Sequence, residues 1–176
     1  MSESSSADPI FDPEAMLVEL ADHGVDFIVV GGMAVQTHGH VRGTRDLDII
    51  PAPDLLNLSR LSEALAALSA RHAHADRPVD VGDPHLLERA PLVPLLTDRG
   101  PLDLLNADLA EGLPRSYEDL RKRAVEVELD GRIVAVAGLD DLIRMKRVAG
   151  REVDLSDIGA LTRTDEQLHD EAGEST

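Results

Sequence analysis

Two aspartates separated by a single residue are the feature of this sequence with the clearest chemistry. In the segment Asp46-Leu-Asp-Ile49, acidic and apolar side chains alternate. On a strand, this alternation places both carboxylates on one face and both apolar side chains on the other. Paired hard oxygens on a rigid element suit Mg²⁺, which takes carboxylates together with substrate phosphates. The alternative is a solvated strand edge with chance spacing, so the motif needs support from elsewhere in the chain.

A third carboxylate supplies that support. Asp103 has apolar neighbours on both sides in the segment Pro101-Leu-Asp-Leu-Leu105. Burying a carboxylate in such a strand costs free energy unless the carboxylate is paired or metal-bound. Three carboxylates on adjacent strands can hold two divalent ions about 4 Å apart, one to activate an attacking hydroxyl and one to neutralise a leaving pyrophosphate. We therefore expect Asp46, Asp48 and Asp103 to be catalytic and metal-binding residues.

Glycines and arginines near this motif indicate phosphate binding. Gly31 and Gly32 end an apolar strand and open a short helix, so their backbone N–H groups could bind an anion that a side chain would keep away. The alternative for the two glycines is an ordinary tight turn. Arg42 and Arg45, on the loop before the aspartates, are placed to meet phosphate charge.

Charged residues near the C-terminus offer weaker candidates. Lys146 and Arg151 are both candidates. Lys146 could reach a triphosphate from a C-terminal helix, although a solvated helix position explains it equally well. Asp154 and Asp157 lie three residues apart on a helix, where we expect them to pair with Arg151.

The histidines suggest zinc only weakly. His38 with His40, and His72 with His74, have His-x-His spacing, but no third ligand accompanies either pair. We expect that they are not metal ligands, and that His38 instead helps to close a nucleotide pocket.

The elements that must position these residues alternate between helix and strand. Apolar spacing, caps and breakers predict helices over residues 13–23, 33–38, 54–70, 139–149 and 153–161, and strands over 27–30, 46–50, 92–97, 102–106, 125–129 and 133–137. The N-caps expected for the first and third helices are Asp12 and Asp54. The long helix has an inward leucine stripe at positions 55, 58, 61, 65 and 68. Pro94 predicts an edge or a bulge, and Asp130-Gly131 predicts a hairpin. The fold class expected is α/β (α+β), with a mixed sheet flanked by helices and the C-terminal helices packed on it.

Composition sets the domain organisation and limits the partners. We expect a disordered tail over residues 1–8, one domain over 9–164 and a frayed acidic tail over 165–176, while 72–89 is hard to read. The net charge of −17 opposes binding to duplex DNA, which depends on many Lys and Arg contacts. No segment approaches the roughly 20 apolar residues of a membrane span. The absence of cysteine and of a secretory signal fits the cytoplasm.

The motif also resembles that of a known group of enzymes. Val30-Gly-Gly32, thirteen intervening residues, then Asp46-Leu-Asp-Ile49 is similar to the signature of the DNA polymerase beta-like nucleotidyltransferase superfamily. The order Gly-Gly, His-Gly, Arg-Gly-Thr-Arg-Asp-Leu-Asp is similar to small bacterial nucleotidyltransferases of the abortive-infection and toxin–antitoxin type. The resemblance implies a minimal nucleotidyltransferase fold, Mg²⁺ or Mn²⁺ at Asp46, Asp48 and a third carboxylate that we place at Asp103, and phosphate contact by Gly31 and Gly32.

Three functions follow as hypotheses. The first is Mg²⁺-dependent transfer of NMP from an NTP, such as ATP, to a hydroxyl of an RNA end or a protein side chain, in a toxin–antitoxin or phage-defence context. The second is a non-catalytic antitoxin or binding module whose acidic surface holds a basic partner. The third is nucleotidyl transfer to a cationic antibiotic, an aminoglycoside or a lincosamide. A separate substrate domain is not visible, so the sequence does not identify the acceptor.

Overall fold

The computed structural model describes residues 10–74, 85, 90–109 and 116–173, which form seven strands and six helices. The strands are β1 (Phe27–Val30), β2 (Leu47–Pro51), β3 (Arg71–His72), β4 (Leu92–Thr97), β5 (Gly100–Leu105), β6 (Val125–Leu129) and β7 (Arg132–Val136). The helices are α1 (Pro13–Asp22), α2 (Gly31–Thr37), α3 (Leu55–Ala67), α4 (Tyr117–Arg123), α5 (Leu139–Ala149) and α6 (Glu152–Gly173). Most of the segment that was hard to read, 75–84 and 86–89, lies outside the described residues.

The strands form one mixed sheet in the order β3-β4-β5-β2-β1-β7-β6. The pairs β1–β7 and β2–β5 are parallel, and the other neighbouring strands run antiparallel. Across the described residues, every helix is either too short or too polar to span a lipid bilayer. The mixed sheet flanked by helices confirms the α/β (α+β) fold class expected from the sequence.

Both faces of the central strand β1 are buried, as its continuous apolar run predicts. Phe27 and Val29 join the larger apolar cluster, which α1 and α3 cover. Ile28 and Val30 join a smaller cluster on the opposite face, which includes Tyr117 of α4. Apolar packing on both faces therefore holds β1, the strand that leads into Gly31, in place.

The caps of the first and third helices are the ones expected, but one inward position was wrong. The Asp12 carboxylate accepts a hydrogen bond from the backbone N–H of Ala15 at 3.1 Å, and Asp54 accepts one from Asn57 at 3.0 Å. Leu55, which the leucine stripe placed in the core, is 63% exposed, because it is the first residue of α3 and its side chain faces solvent. The helix ends at Ala67, before Ser69 takes a left-handed φ of 53°.

Pro94 does not mark an edge, since β3 covers β4 on its outer side. The carbonyl oxygen of Pro94 accepts a hydrogen bond from the backbone N–H of Ala73. In a strand, the N–H and C=O of one residue point to the same side, so the missing N–H of Pro94 is directed away from β5. Proline is therefore tolerated without breaking the β4–β5 ladder.

Two further boundaries differ from the expected ones. Helix α2 begins at Gly31 rather than at residue 33, so both glycines lie within its first turn. Helix α6 continues to Gly173, so the predicted acidic tail from residue 165 begins inside a helix. The physical reason is the lack of a breaker: neither Gly nor Pro occurs between Leu161 and Gly173. The β6–β7 hairpin turns at Asp130 and Gly131, both with positive φ, as predicted.

Candidate active site

Three carboxylates converge where β2 and β5 lie side by side. In the parallel pair of these strands, Asp48 and Asp103 are direct register partners. Asp46 lies two residues before Asp48, just ahead of β2, and so has its side chain on the same face. Each of the three offers an oxygen, and these oxygens lie within 4.8 Å of one another. The structure thus brings together the acidic side chains that the spacing of the sequence grouped.

The electrostatics of this cluster favour a cation. Burial raises the pKa of Asp48 to about 7, with the neighbouring charges of Asp46 and Asp103 acting in the same direction. Burial and the charge of Asp46 also raise the pKa of Asp103, against a smaller opposing effect of His74. Closely spaced carboxylates that destabilise one another's charge form a hard-oxygen donor set, which fits Mg²⁺ or Mn²⁺.

Thr44 orients one of these carboxylates and was not singled out from the sequence. Its hydroxyl donates to the Asp46 side chain at 3.1 Å and lies 3.2 Å from the Asp46 backbone oxygen. The available signal was the spacing, since a hydroxyl residue two positions from an aspartate commonly forms local hydrogen bonds of this kind. The loop before β2 therefore presents Asp46 in a defined position.

Gly31 and Gly32 are both required by close contacts, and neither is an ordinary turn residue. A Cβ atom at Gly31 would lie 1.9 Å from Oδ2 of Asp48, and the φ of 64° at this position is left-handed. A Cβ atom at Gly32 would lie 2.6 Å from the Thr44 hydroxyl and 3.0 Å from the Arg42 guanidinium. The first glycine makes room for a site carboxylate, and the second for the loop that carries Asp46.

A cleft of about 400 Å³ opens beside the carboxylates. Gly31 and Asp48 lie at its sheet side, and Lys146, Arg151 and Asp154 contribute the charged groups of its helical side. Its apolar wall consists of Val30, Leu105, Leu142, Met145, Val148 and Ala149. The cleft therefore combines an apolar surface suited to a nucleoside with charged groups.

Lys146 is a buried residue with two acidic partners. Its side chain is only 5% exposed, and Nζ lies 2.9 Å from Asp154 Oδ1 and 3.1 Å from Asp157 Oδ2. This excludes a solvated helix position. Arg151 pairs with Asp154 as expected from their spacing, with Nε at 2.7 Å from Oδ2, whereas Asp157 pairs with other cations.

Arg42 and Arg45 have different surroundings. Arg42 Nε lies 2.9 Å from Asp157 Oδ1, and Arg42 Nη1 donates to the backbone oxygen of Gly43. Its guanidinium is thus held within the protein, while Arg45 is exposed. We call Arg42, Lys146, Arg151, Asp154 and Asp157 the ion cluster; it connects the loop before β2 to α5 and α6.

His38 and His40 have partners outside the group of three carboxylates. His38 Nε2 donates to the backbone oxygen of Ala137 at 2.8 Å, which ties the end of α2 to the segment after β7. His40 Nε2 lies 3.9 Å from Asp157 Oδ1. Within the described part of the chain, Asp46, Asp48 and Asp103 are the one group of side chains with metal-binding geometry, and it includes no histidine.

Comparisons with known proteins identify one matching family and several similar folds. Residues 10–166 match the model of the family described as "Nucleotidyltransferase of unknown function (DUF6036)". None of the curated proteins matches the sequence.

Three solved structures have a similar fold. The lincosamide antibiotic adenylyltransferase LnuA, bound to lincomycin, aligns with a TM-score of 0.57 at 16% identity, over 88% of this chain and 98% of its own. An antigenic nucleotidyltransferase-like protein from Paracoccidioides brasiliensis gives 0.54 at 16%, over 87% and 77%. A candidate nucleotidyltransferase from Thermotoga maritima gives 0.51 at 16%, over 94% and 96%. At 16% sequence identity, the similarity to these structures shows a shared fold alone.

Proposed function

Because the chain belongs to this nucleotidyltransferase family, we propose that it transfers a nucleoside monophosphate from an NTP to an acceptor hydroxyl and releases pyrophosphate. The observation that carries the proposal is the convergence of Asp46, Asp48 and Asp103, with oxygens within 4.8 Å of one another, beside a cleft with an apolar wall. A scaffold without catalytic activity has no need of three carboxylates that raise one another's energy.

The three aspartates would hold the divalent metal, Mg²⁺ or Mn²⁺. If two such ions are bound, they would neutralise the charge of the triphosphate and activate the attacking hydroxyl. Asp46, fixed by Thr44, and Asp48, fixed against Gly31, provide rigid ligands. Rigid ligands matter because Mg²⁺ demands near-ideal octahedral geometry.

The remaining chemistry needs an acid–base group and space for both substrates. A bond forms between the acceptor oxygen and the α-phosphorus, while the bond from the α-phosphorus to the bridging oxygen of pyrophosphate breaks. Asp103, the register partner of Asp48 on the neighbouring strand, is placed to help to activate the acceptor hydroxyl. Gly31 lines the cleft beside Asp48, where its backbone N–H would contact the phosphates, and the apolar wall accommodates the nucleoside.

For the acceptor, we propose a hydroxyl on an RNA end or a protein side chain, in a toxin–antitoxin or phage-defence context. A cationic antibiotic is the second candidate. The net charge of −17 favours a cationic small molecule, and the similar fold of LnuA belongs to a lincosamide adenylyltransferase. Duplex DNA does not fit a surface of this charge.

The decisive experiment is nucleotidyl labelling. Purified protein is incubated with each α-³²P-NTP, Mg²⁺ or EDTA, and separate panels of RNAs, proteins, aminoglycosides and lincosamides. We expect Asp46→Asn, Asp48→Asn and Asp103→Asn each to reduce the transfer rate by at least about 100-fold, because each removes a charged ligand. Asp108→Asn, which neutralises an exposed aspartate, is the matched control and should retain the wild-type rate.

The labelling result also separates this proposal from a non-catalytic binding module. Transfer that persists in EDTA or in Asp48→Asn would refute the assignment of the site. Recovery of a basic protein partner whose affinity is unaffected by Asp48→Asn, with no labelling of any acceptor, would instead support the binding module.

A further inference from the structure

Charge balance within the ion cluster leaves one cation in excess. Lys146 contacts both carboxylates, Arg42 contacts Asp157, and Arg151 contacts Asp154. Three cations thus face two carboxylates, both of which are fully buried. Buried charges must be balanced locally, so Lys146 and Arg42 can neutralise the two carboxylates from within the protein.

Arg151 differs from the other two cations in its exposure. Its side chain is 69% exposed, whereas Lys146 is almost entirely enclosed. Nε and Nη2 are held by the two oxygens of Asp154 at 2.7 and 3.2 Å, and the residue lines the cleft that also contains Asp48. One edge of the guanidinium is therefore fixed, and the rest is accessible to a ligand.

The local backbone explains why Arg151 keeps this position. Gly150 ends α5 in a left-handed conformation, with a φ of 62°, and α6 begins directly after Arg151. The backbone N–H of Arg151 donates to Asp154 Oδ2 at 3.2 Å, which is one half of a capping box. Its carbonyl accepts the first hydrogen bond of α6, from Leu155. Asp154 therefore fixes both the backbone and the side chain of Arg151.

Negative charges around Arg151 favour its protonated form. The hydrogen bond that Arg151 donates to Asp154 raises the pKa of Arg151 most, and the charges of Asp48 and Asp46 contribute in the same direction. Burial acts to raise the pKa of Asp154, but the hydrogen bonds from Arg151 and Lys146 outweigh it and hold the pKa at about 2. Asp154 is thus ionised, and the guanidinium stays charged and fixed throughout the neutral range.

We propose that Arg151 binds the triphosphate of the NTP, that Asp154 is its positioning residue, and that Lys146 serves to balance charge inside the protein. This inference rests on the proposed function, because it assigns the phosphate contact of that same site. Of the two candidates that the sequence offered, it assigns the phosphate contact to Arg151 rather than to Lys146. A guanidinium held by one edge can offer its free N–H groups to phosphate oxygens without first losing side-chain freedom.

The test uses inorganic tripolyphosphate with Mg²⁺, whose binding is measured by calorimetry without any transfer reaction. We expect Arg151→Ala to weaken binding by at least about tenfold, since it removes charge-assisted hydrogen bonds. The matched control is Arg147→Ala, which removes the same charge from an exposed position near the end of α5 that does not line the cleft. Its binding should stay within about twofold of wild type.

Kinetics then test the positioning role. Asp154→Asn should raise KM for the NTP more than it lowers kcat, and Arg151→Lys should restore part of the affinity lost in Arg151→Ala. A purely structural role would instead lower thermal stability without this separation of KM from kcat.

Two results would overturn the inference: failure of the wild type to bind Mg²⁺-tripolyphosphate, or equal binding by Arg151→Ala and Arg147→Ala. In the second case, transfer that still depends on Asp48 would leave the proposed function intact. If Asp48→Asn transfers at the wild-type rate, the proposed function fails, while the loss of tripolyphosphate binding in Arg151→Ala can still be observed.

Discussion

Any side chain at position 31 would begin with a Cβ atom 1.9 Å from Asp48 Oδ2 and 2.6 Å from its Cγ. The residue also has a left-handed φ of 64°, which costs an alanine about 1–2 kcal/mol. Because Asp48 is held in the sheet between Val30 and Asp103, its carboxylate would have to turn away from the other two. The orientation of the Asp48 carboxylate thus depends on the absence of a side chain at Gly31.

We therefore expect Gly31→Ala to lower the transfer rate by at least about 100-fold and to destabilise the fold by about 1–3 kcal/mol. The same substitution at Gly43, in the loop before β2, is the control, since a Cβ atom there meets nothing within 4 Å. Labelling assays and urea denaturation would measure both variants. Equal activity of the two would show that Asp48 does not need its present orientation.

At the same scale, the sequence predicted some residues and could not predict others. The choice of Asp46, Asp48 and Asp103 as candidates follows from strand alternation and apolar neighbours, which are local features, whereas their convergence also needs the pairing of β2 with β5. The pairing of Arg42 with Asp157 joins segments far apart in the chain, and charge type alone could not select it among so many acidic residues. The burial of Lys146 could not be predicted either, since it depends on the contacts of Lys146 with two aspartates of α6.

At the scale of elements, predictions succeeded where the signal was local. Caps at Asp12 and Asp54 and the Asp130-Gly131 turn were identified because each acts within a few residues. Leu55 was misplaced because periodicity does not show where the core ends relative to the first turn of a helix. The end of α6 was placed too early because a polar composition was taken as fraying, although no residue there breaks a helix.

Helices α5 and α6 are joined by Lys146, which contacts two buried carboxylates at 2.9 and 3.1 Å. Replacing it with Met would leave Asp154 and Asp157 with less compensation in a buried position. We expect Lys146→Met to reduce the free energy of unfolding by about 2–5 kcal/mol. Arg147→Met, one position along the same helix but exposed, should change it by no more than about 0.5 kcal/mol. Urea denaturation at pH 7 would compare them, and equal losses would contradict a joining role for Lys146.

At the scale of the whole molecule, the net charge of −17 is a source of repulsion. Excess negative charge destabilises the compact state, and salt screens it over about 10 Å at 0.1 M ionic strength. We expect the melting temperature to rise by several degrees when NaCl increases from about 20 to 500 mM. The control is a buffer without added NaCl that contains sucrose at a matching osmolality. A fall in melting temperature with NaCl would show that specific ion pairs outweigh the general repulsion.

The direct pairing of Asp48 with Asp103 has a consequence for how this chain can change in length. A single residue inserted or deleted within β5 would turn Asp103 to the opposite face of the sheet, because side chains alternate with a period of two. The carboxylate would then meet apolar side chains, and one of the Leu102 or Leu104 positions would take its place. Length variation in this protein should therefore be confined to the connections between strands, while β2 and β5 keep a constant count of residues.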